Sequence, residues 1–148
     1  MRKFYPFCLL LFSILTLTSC GDSHKKLIED EVSHIDELTA IINDLADGKT
    51  SEANTLAAID EWAKQHKQFH DRLEALNADS TKAEIEAANE EFIRASAPAL
   101  RLYESALVRL RKRKPIEHNH IREHLFATLN ELLKNNRVME LWLVSLQH

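Results

Sequence analysis

The chain has 148 residues, with 19 Lys and Arg against 23 Asp and Glu for a formal net charge of −4. Two glycines, Gly21 and Gly48, are too few for the glycine-rich loops that cradle phosphates in nucleotide-binding folds. The length suits one domain with a hydrophobic core and is short for two.

The amino terminus reads as an export signal. Arg2 and Lys3 precede the apolar run Phe7-Cys8-Leu9-Leu10-Leu11-Phe12-Ser13-Ile14-Leu15, and small residues follow before Cys20. As a helix, Phe4 to Thr18 would rise about 22 Å, short of the roughly 30 Å hydrocarbon core that a spanning helix must cross. Leu17-Thr18-Ser19-Cys20 resembles the lipobox of bacterial lipoproteins. That resemblance implies cleavage of residues 1–19 and acylation of Cys20, hence a palmitate-type membrane anchor, with residues 20–23 as a short tether. Two or more acyl chains hold a protein stably on a bilayer where one does not. The resemblance also implies a cell-envelope location; with Gly21 rather than aspartate after the cysteine, the expected place is the outer membrane, facing the periplasm. Cleavage would remove Arg2, Lys3 and no acid, taking the formal charge from −4 to −6. Cys8 would leave with the signal and Cys20 would carry lipid, so no disulfide and no thiolate site is expected.

From residue 24 onward the pattern is helical. Ile28, Val32, Ile35, Leu38, Ile42 and Leu45 recur at steps of three and four, predicting an amphipathic helix over about 24–46. Gly48 suits the helix end, and Thr50 or Ser51 can cap the next one, which carries Leu56, Ile59, Trp62, Ala63, His66, Phe69, Leu73 and Leu76 to about residue 77. Thr81-Lys82-Ala83-Glu84 has capping-box spacing. The third helix should then run to about Arg113, kinked or split at Pro98, which removes a hydrogen bond and crowds the Arg94 carbonyl. Lys114-Pro115 marks the next boundary, and a fourth helix is expected over about 116–146. No segment alternates with period two. The expected fold is all-α, an up-down-up-down four-helix bundle over residues 24–148. In layout and acidic helix faces it is similar to small helical lipoproteins of uncharacterised function, a resemblance that implies no activity and no site. In that topology the end near the anchor also holds the second loop and the carboxyl terminus, and the far end holds Gly48 and the turn at Arg113–Pro115.

Four constellations carry possible chemistry. His66 and His70 lie one turn apart, as do His120 and His124 with His118 nearby; imidazole pairs at this spacing chelate Zn²⁺, Cu²⁺ or Ni²⁺. His66 falls about 24 Å along its helix and His120 about 6 Å along its own, so the pairs should sit at different heights and act, if at all, as separate surface chelates. Glu31-Val32-Ser33-His34 and Glu117-His118-Asn119-His120 match the Glu-x-x-His spacing of di-iron bundles, but opposite ends of the bundle should keep them apart, with Glu31 flanking the apolar stripe. Arg109, Arg111, Lys112, Arg113 and Lys114 form the densest charge cluster. They complement a helix C-terminus, or else make a docking tip for an anionic envelope protein; nucleic acid is not an expected partner for an exported chain. Val138 to Leu146, including Leu141 and Trp142, is apolar almost all round, as a central helix or a contact surface would be. There is no Gly-x-Ser-x-Gly, and Ser96 and Ser105 lack an evident base.

The sequence therefore leads to a lipid-anchored, non-catalytic binding module without a cofactor. A metal-binding protein using the histidine pairs is the alternative.

Overall fold

The computed structural model describes residues 23–132, which fold into four helices with no strand among them. They are α1 (His24–Ala46), α2 (Glu52–Ala78), α3 (Lys82–Arg113) and α4 (Pro115–Leu132). Cys20, Leu141 and Trp142 lie outside the described residues, as does the expected part of the last helix beyond residue 132. Among the described residues no helix is long and apolar enough to cross a membrane.

Local chemistry sets each boundary. Ser23 and Ser51 accept hydrogen bonds from the Lys26 and Asn54 amides, satisfying donors that the first helical turn leaves unpaired. At the start of α3 the Thr81 hydroxyl accepts from the Glu84 amide while the Glu84 carboxylate accepts from the Thr81 amide at 2.7 Å, the reciprocal capping box that the sequence predicts. The Thr81 amide and the Thr81 hydroxyl both donate to the Glu84 carboxylate, and these two bonds hold it below the usual carboxylate range. The end of α1 requires its glycine. Gly48 has φ of 73°, its amide donates to the Leu45 carbonyl, and the Lys49 amide reaches back to the Asp44 carbonyl, closing a Schellman motif. Only Lys114 separates α3 from α4, with Pro115 at the first helical position, where its missing N–H has no partner to lose.

Pro98 does not split α3. The helix runs unbroken from Lys82 to Arg113 with the proline inside it. Pro98 and Arg94 are both exposed, so the carbonyl freed at Arg94 faces water rather than the core. Neighbouring carbonyls are covered too: Ser96 Oγ donates to Phe92 O, and Arg101 Nε to Ala97 O.

The helices alternate in direction as expected, but sequence neighbours are not all spatial neighbours. α1 and α4 each pack against both α2 and α3, giving the ring order α1–α2–α4–α3. α1 is thus parallel to α3, joined where Asn43 meets Arg109, and antiparallel to α2, joined where His24 meets Asn77. The core is built from Ile35, Leu38, Ile42 and Leu45 of α1, Ile59, Trp62 and Ala63 of α2, Ala99, Tyr103, Ala106 and Leu110 of α3, and Ile121, Leu125 and Leu129 of α4. Ala99 and Ala106 supply small side chains to the face of α3 that enters the core. Each fully buried Leu or Ile contributes about 1.5–3 kcal/mol of apolar transfer, so these stripes carry the fold. Burial drives the Tyr103 phenol well above its ordinary pKa.

Candidate functional site: a polar cluster in the core and a basic tip

The apolar stripe of α1 is interrupted by a carboxylate. Leu27, Glu31 and Ile35 stand at successive four-residue steps, and Glu31 is 1% exposed. It is therefore part of the inward face, not beside it as the sequence suggests. On the facing helix, His66 and His70 occupy the equivalent inward positions at 0% and 5% exposure. The antiparallel register brings the three together. His66 Nδ1 lies 3.3 Å from Glu31 Oε2, and His66 Nε2 lies 3.1 Å from His70 Nε2.

Aromatic side chains fix this series in place. The His66 ring is stacked on Trp62 at 4.8 Å and 13°, with Phe69 at 6.1 Å and 18°. His70 meets the His66 ring edge-on at 4.6 Å. Trp62 is tied in turn to α1, its indole N–H donating to the His34 carbonyl at 2.8 Å. His34 lies beside the group, its ring edge-on to both Trp62 and His66 and its Nδ1 3.3 Å from Glu37 Oε2. His70 Nδ1 is buried without a hydrogen-bond partner. Burial and the charge of His66 push the His70 pKa down from 6.5 to about 4 against the opposing pull of Asp71, so His70 is neutral at pH 7.

The other histidines do not join. His120 Nδ1 pairs with Glu52 at 2.8 Å and His124 Nε2 with Asp60 at 2.7 Å, two rungs along the parallel α2 and α4. His118 turns inward beside Asn119, and burial lowers its pKa, aided by Arg122 and Arg111 and opposed by the Asn119 hydrogen bond. Among the described residues no three His, Cys, Asp or Glu side chains converge where a metal ion could sit. The two pairs are separate, as their helical heights predict, but His66 and His70 form no surface chelate: they are in the core. Glu117 and His118 open α4 at the end opposite Glu31 and His34, so the Glu-x-x-His motifs do not meet.

The basic cluster divides into two parts. Arg109 and Arg113 both bind Asp47, the residue that ends α1, with Arg113 Nη1 at 2.7 Å. Arg109 also donates to Asn43 Oδ1 and Arg113 to the Ala46 carbonyl. These two arginines clamp the first loop to the end of α3. Arg111 and Lys112 remain exposed, and Lys114 is half-buried in the turn. Lys49 adds a further exposed cation, bridged to Asp44 and Asp47.

No family model matches the chain, and neither the curated proteins nor the solved structures contain a match to it. Function rests on the chemistry of these two regions.

Proposed function

We propose that this is a lipid-anchored envelope lipoprotein whose helical bundle acts by binding, presenting the end of α3 to an acidic protein surface away from the membrane. The observation that supports this reading is the division of the basic cluster. Arg109 and Arg113 are consumed by Asp47, whereas Arg111 and Lys112 are exposed on the same turn and make no ion pair among the described residues. Exposed cations at a binding surface chiefly raise association rate and select partners by charge complementarity. An anchor at Cys20 would hold the start of α1 at the bilayer and put the α3–α4 turn at the opposite end of the molecule.

Photocrosslinking in intact cells tests this. A photoreactive residue at exposed Ile116 should capture a partner, one at exposed Ala83 near the anchored end should not, and Arg111→Glu with Lys112→Glu should abolish the Ile116 adduct. Adducts indifferent to the charge reversal, or confined to position 83, would overturn the assignment to the tip. Cys20→Ala should release the protein from the membrane fraction, and its retention there would overturn the anchor.

A further inference from the structure

We propose that Asp47 is a built-in competitor for the acidic partner of the basic tip: its carboxylate occupies Arg109 and Arg113 in the isolated molecule and yields them to a carboxylate of the partner on docking. This rests on the reading of the tip as a docking surface and adds a masked half to it, with Arg111 and Lys112 making the first contact and the clamped arginines the second.

The position of the acid shows that its charge does not serve the helix it ends. Asp47 stands at the C-terminus of α1, where a negative charge opposes the helix dipole. The cap itself is made by the backbone, whose N–H donates to the Asn43 carbonyl at 2.9 Å and needs no carboxylate. What the side chain holds is cations: Arg109, Arg113 and Lys49 all reach it, from two different segments of the tip.

The geometry of the clamp makes it exchangeable. Both arginines meet the same oxygen, Asp47 Oδ1, while Lys49 approaches Oδ2 at 3.8 Å. Arg113 uses one nitrogen, Nη1, for Asp47 and for the Ala46 carbonyl alike, and Arg109 gives its other terminal nitrogen to Asn43. Neither guanidinium makes the two-pronged pair with Asp47, the strongest arrangement of an arginine with a carboxylate; an incoming acid that offers both oxygens can make it. The clamp is also open to water, with the Arg109 and Arg113 side chains 39% and 54% exposed and that of Asp47 25%. Ion pairs this exposed contribute little net stability, so exchanging one carboxylate for another costs the fold little. The benefit falls on docking, because the freed cations join Arg111 and Lys112 at the end of α3 and raise association rate and charge selectivity.

The test is fluorescence anisotropy of labelled decaglutamate titrated with the detergent-solubilised full chain at 50 and 200 mM NaCl. Asp47→Asn keeps the shape of the side chain and removes its charge; it should tighten binding about 3–10-fold at the lower salt and steepen the loss of affinity with salt. Asp44→Asn changes the net charge equally but loosens only Lys49, and should tighten binding by less than about twofold. In a background of Arg109→Gln with Arg113→Gln, the gain from Asp47→Asn should shrink to that of Asp44→Asn. Circular dichroism confirms the fold of each variant; Asp47→Ser replaces Asp47→Asn if the latter unfolds. A gain at Asp47 no larger than at Asp44, or one that survives removal of both arginines, would overturn the proposal while leaving the tip as a docking surface. Binding indifferent to Arg111→Glu with Lys112→Glu would overturn the docking surface and the proposal with it.

Discussion

Acid should unfold the protein earlier than its carboxylates alone would dictate, and His70 should be the cause. Its pKa is about 4 in the folded chain against 6.5 for a free histidine. Between those values the unfolded chain takes up a proton at this position that the native bundle refuses, so stability rises with pH across the window. The contribution of His70 is complete above pH 6.5 and is lost progressively as pH falls toward 4. At 1.36 kcal/mol per pH unit the full window corresponds to about 3 kcal/mol. For a domain of this size that moves the melting temperature by on the order of 10–20 °C. The groups facing His70 are His66 and, through it, Glu31, with Asp71 next to it in the chain; Asp71 opposes the shift and His66 reinforces it. Urea unfolding at half-unit steps from pH 4 to 7.5, for wild type and His70→Gln, isolates the effect. Glutamine keeps an N–H to offer His66 but does not titrate, so the difference between the two curves reports this side chain alone. The reasoning is refuted if both proteins lose the same stability over the window to within about 0.5 kcal/mol.

Other expectations follow from packing and backbone geometry. Gly48→Ala should destabilise by about 1 kcal/mol in denaturant titration: the added methyl meets no atom within 4 Å, so the left-handed φ of 73° is the whole cost. Leu38→Ala, at a fully buried position, should cost about 2–5 kcal/mol, whereas Ile93→Ala, at an exposed position, should change stability by less than about 0.5 kcal/mol. A similar loss at both sites would mean that the face of α3 carrying Ile93 is covered. Thr81→Ala should cost about 1 kcal/mol through the capping box, read as a lower melting temperature.

The helices are legible in the sequence because their signals are local. Apolar steps of three and four mark α1, the Thr81–Glu84 pair announces α3, and Gly48 ends α1, each within one or two turns of chain. What the sequence conceals depends on partners far along it. Glu31 reads as flanking the apolar stripe until His66, on the facing helix, is seen opposite; its position on the ladder from Leu27 to Ile35 is an advance signal that hydropathy masks. Arg109 and Arg113 look like two more exposed cations because their acceptor, Asp47, precedes them by more than sixty residues. Pro98 reads as a kink or a split, and the sequence does not say that the helix runs on unbroken with the proline on its exposed side. The ring order α1–α2–α4–α3 is equally non-local: short loops specify direction, but not which helices lie side by side.

The two candidate sites are far enough apart to be dissected separately. Glu31 lies about seven residues into α1 and Asp47 just past its end, so the core cluster and the arginine clamp are separated by about 24 Å along the helix axis. Effects at positions more than about 7–10 Å apart without shared partners normally add. Combining His70→Gln with the reversal at Arg111 and Lys112 should therefore give the sum of the separate stability changes. A coupling larger than about 0.5 kcal/mol would require α1 to have two arrangements that both ends bias. The side chains between them, Ile35, Leu38 and Ile42, are fully buried in one interdigitated core, and close packing of that kind resists small continuous displacements. Additivity is thus the expected result, with the bundle serving as a rigid spacer between a core cluster nearer the start of α1 and a charged tip at the far end.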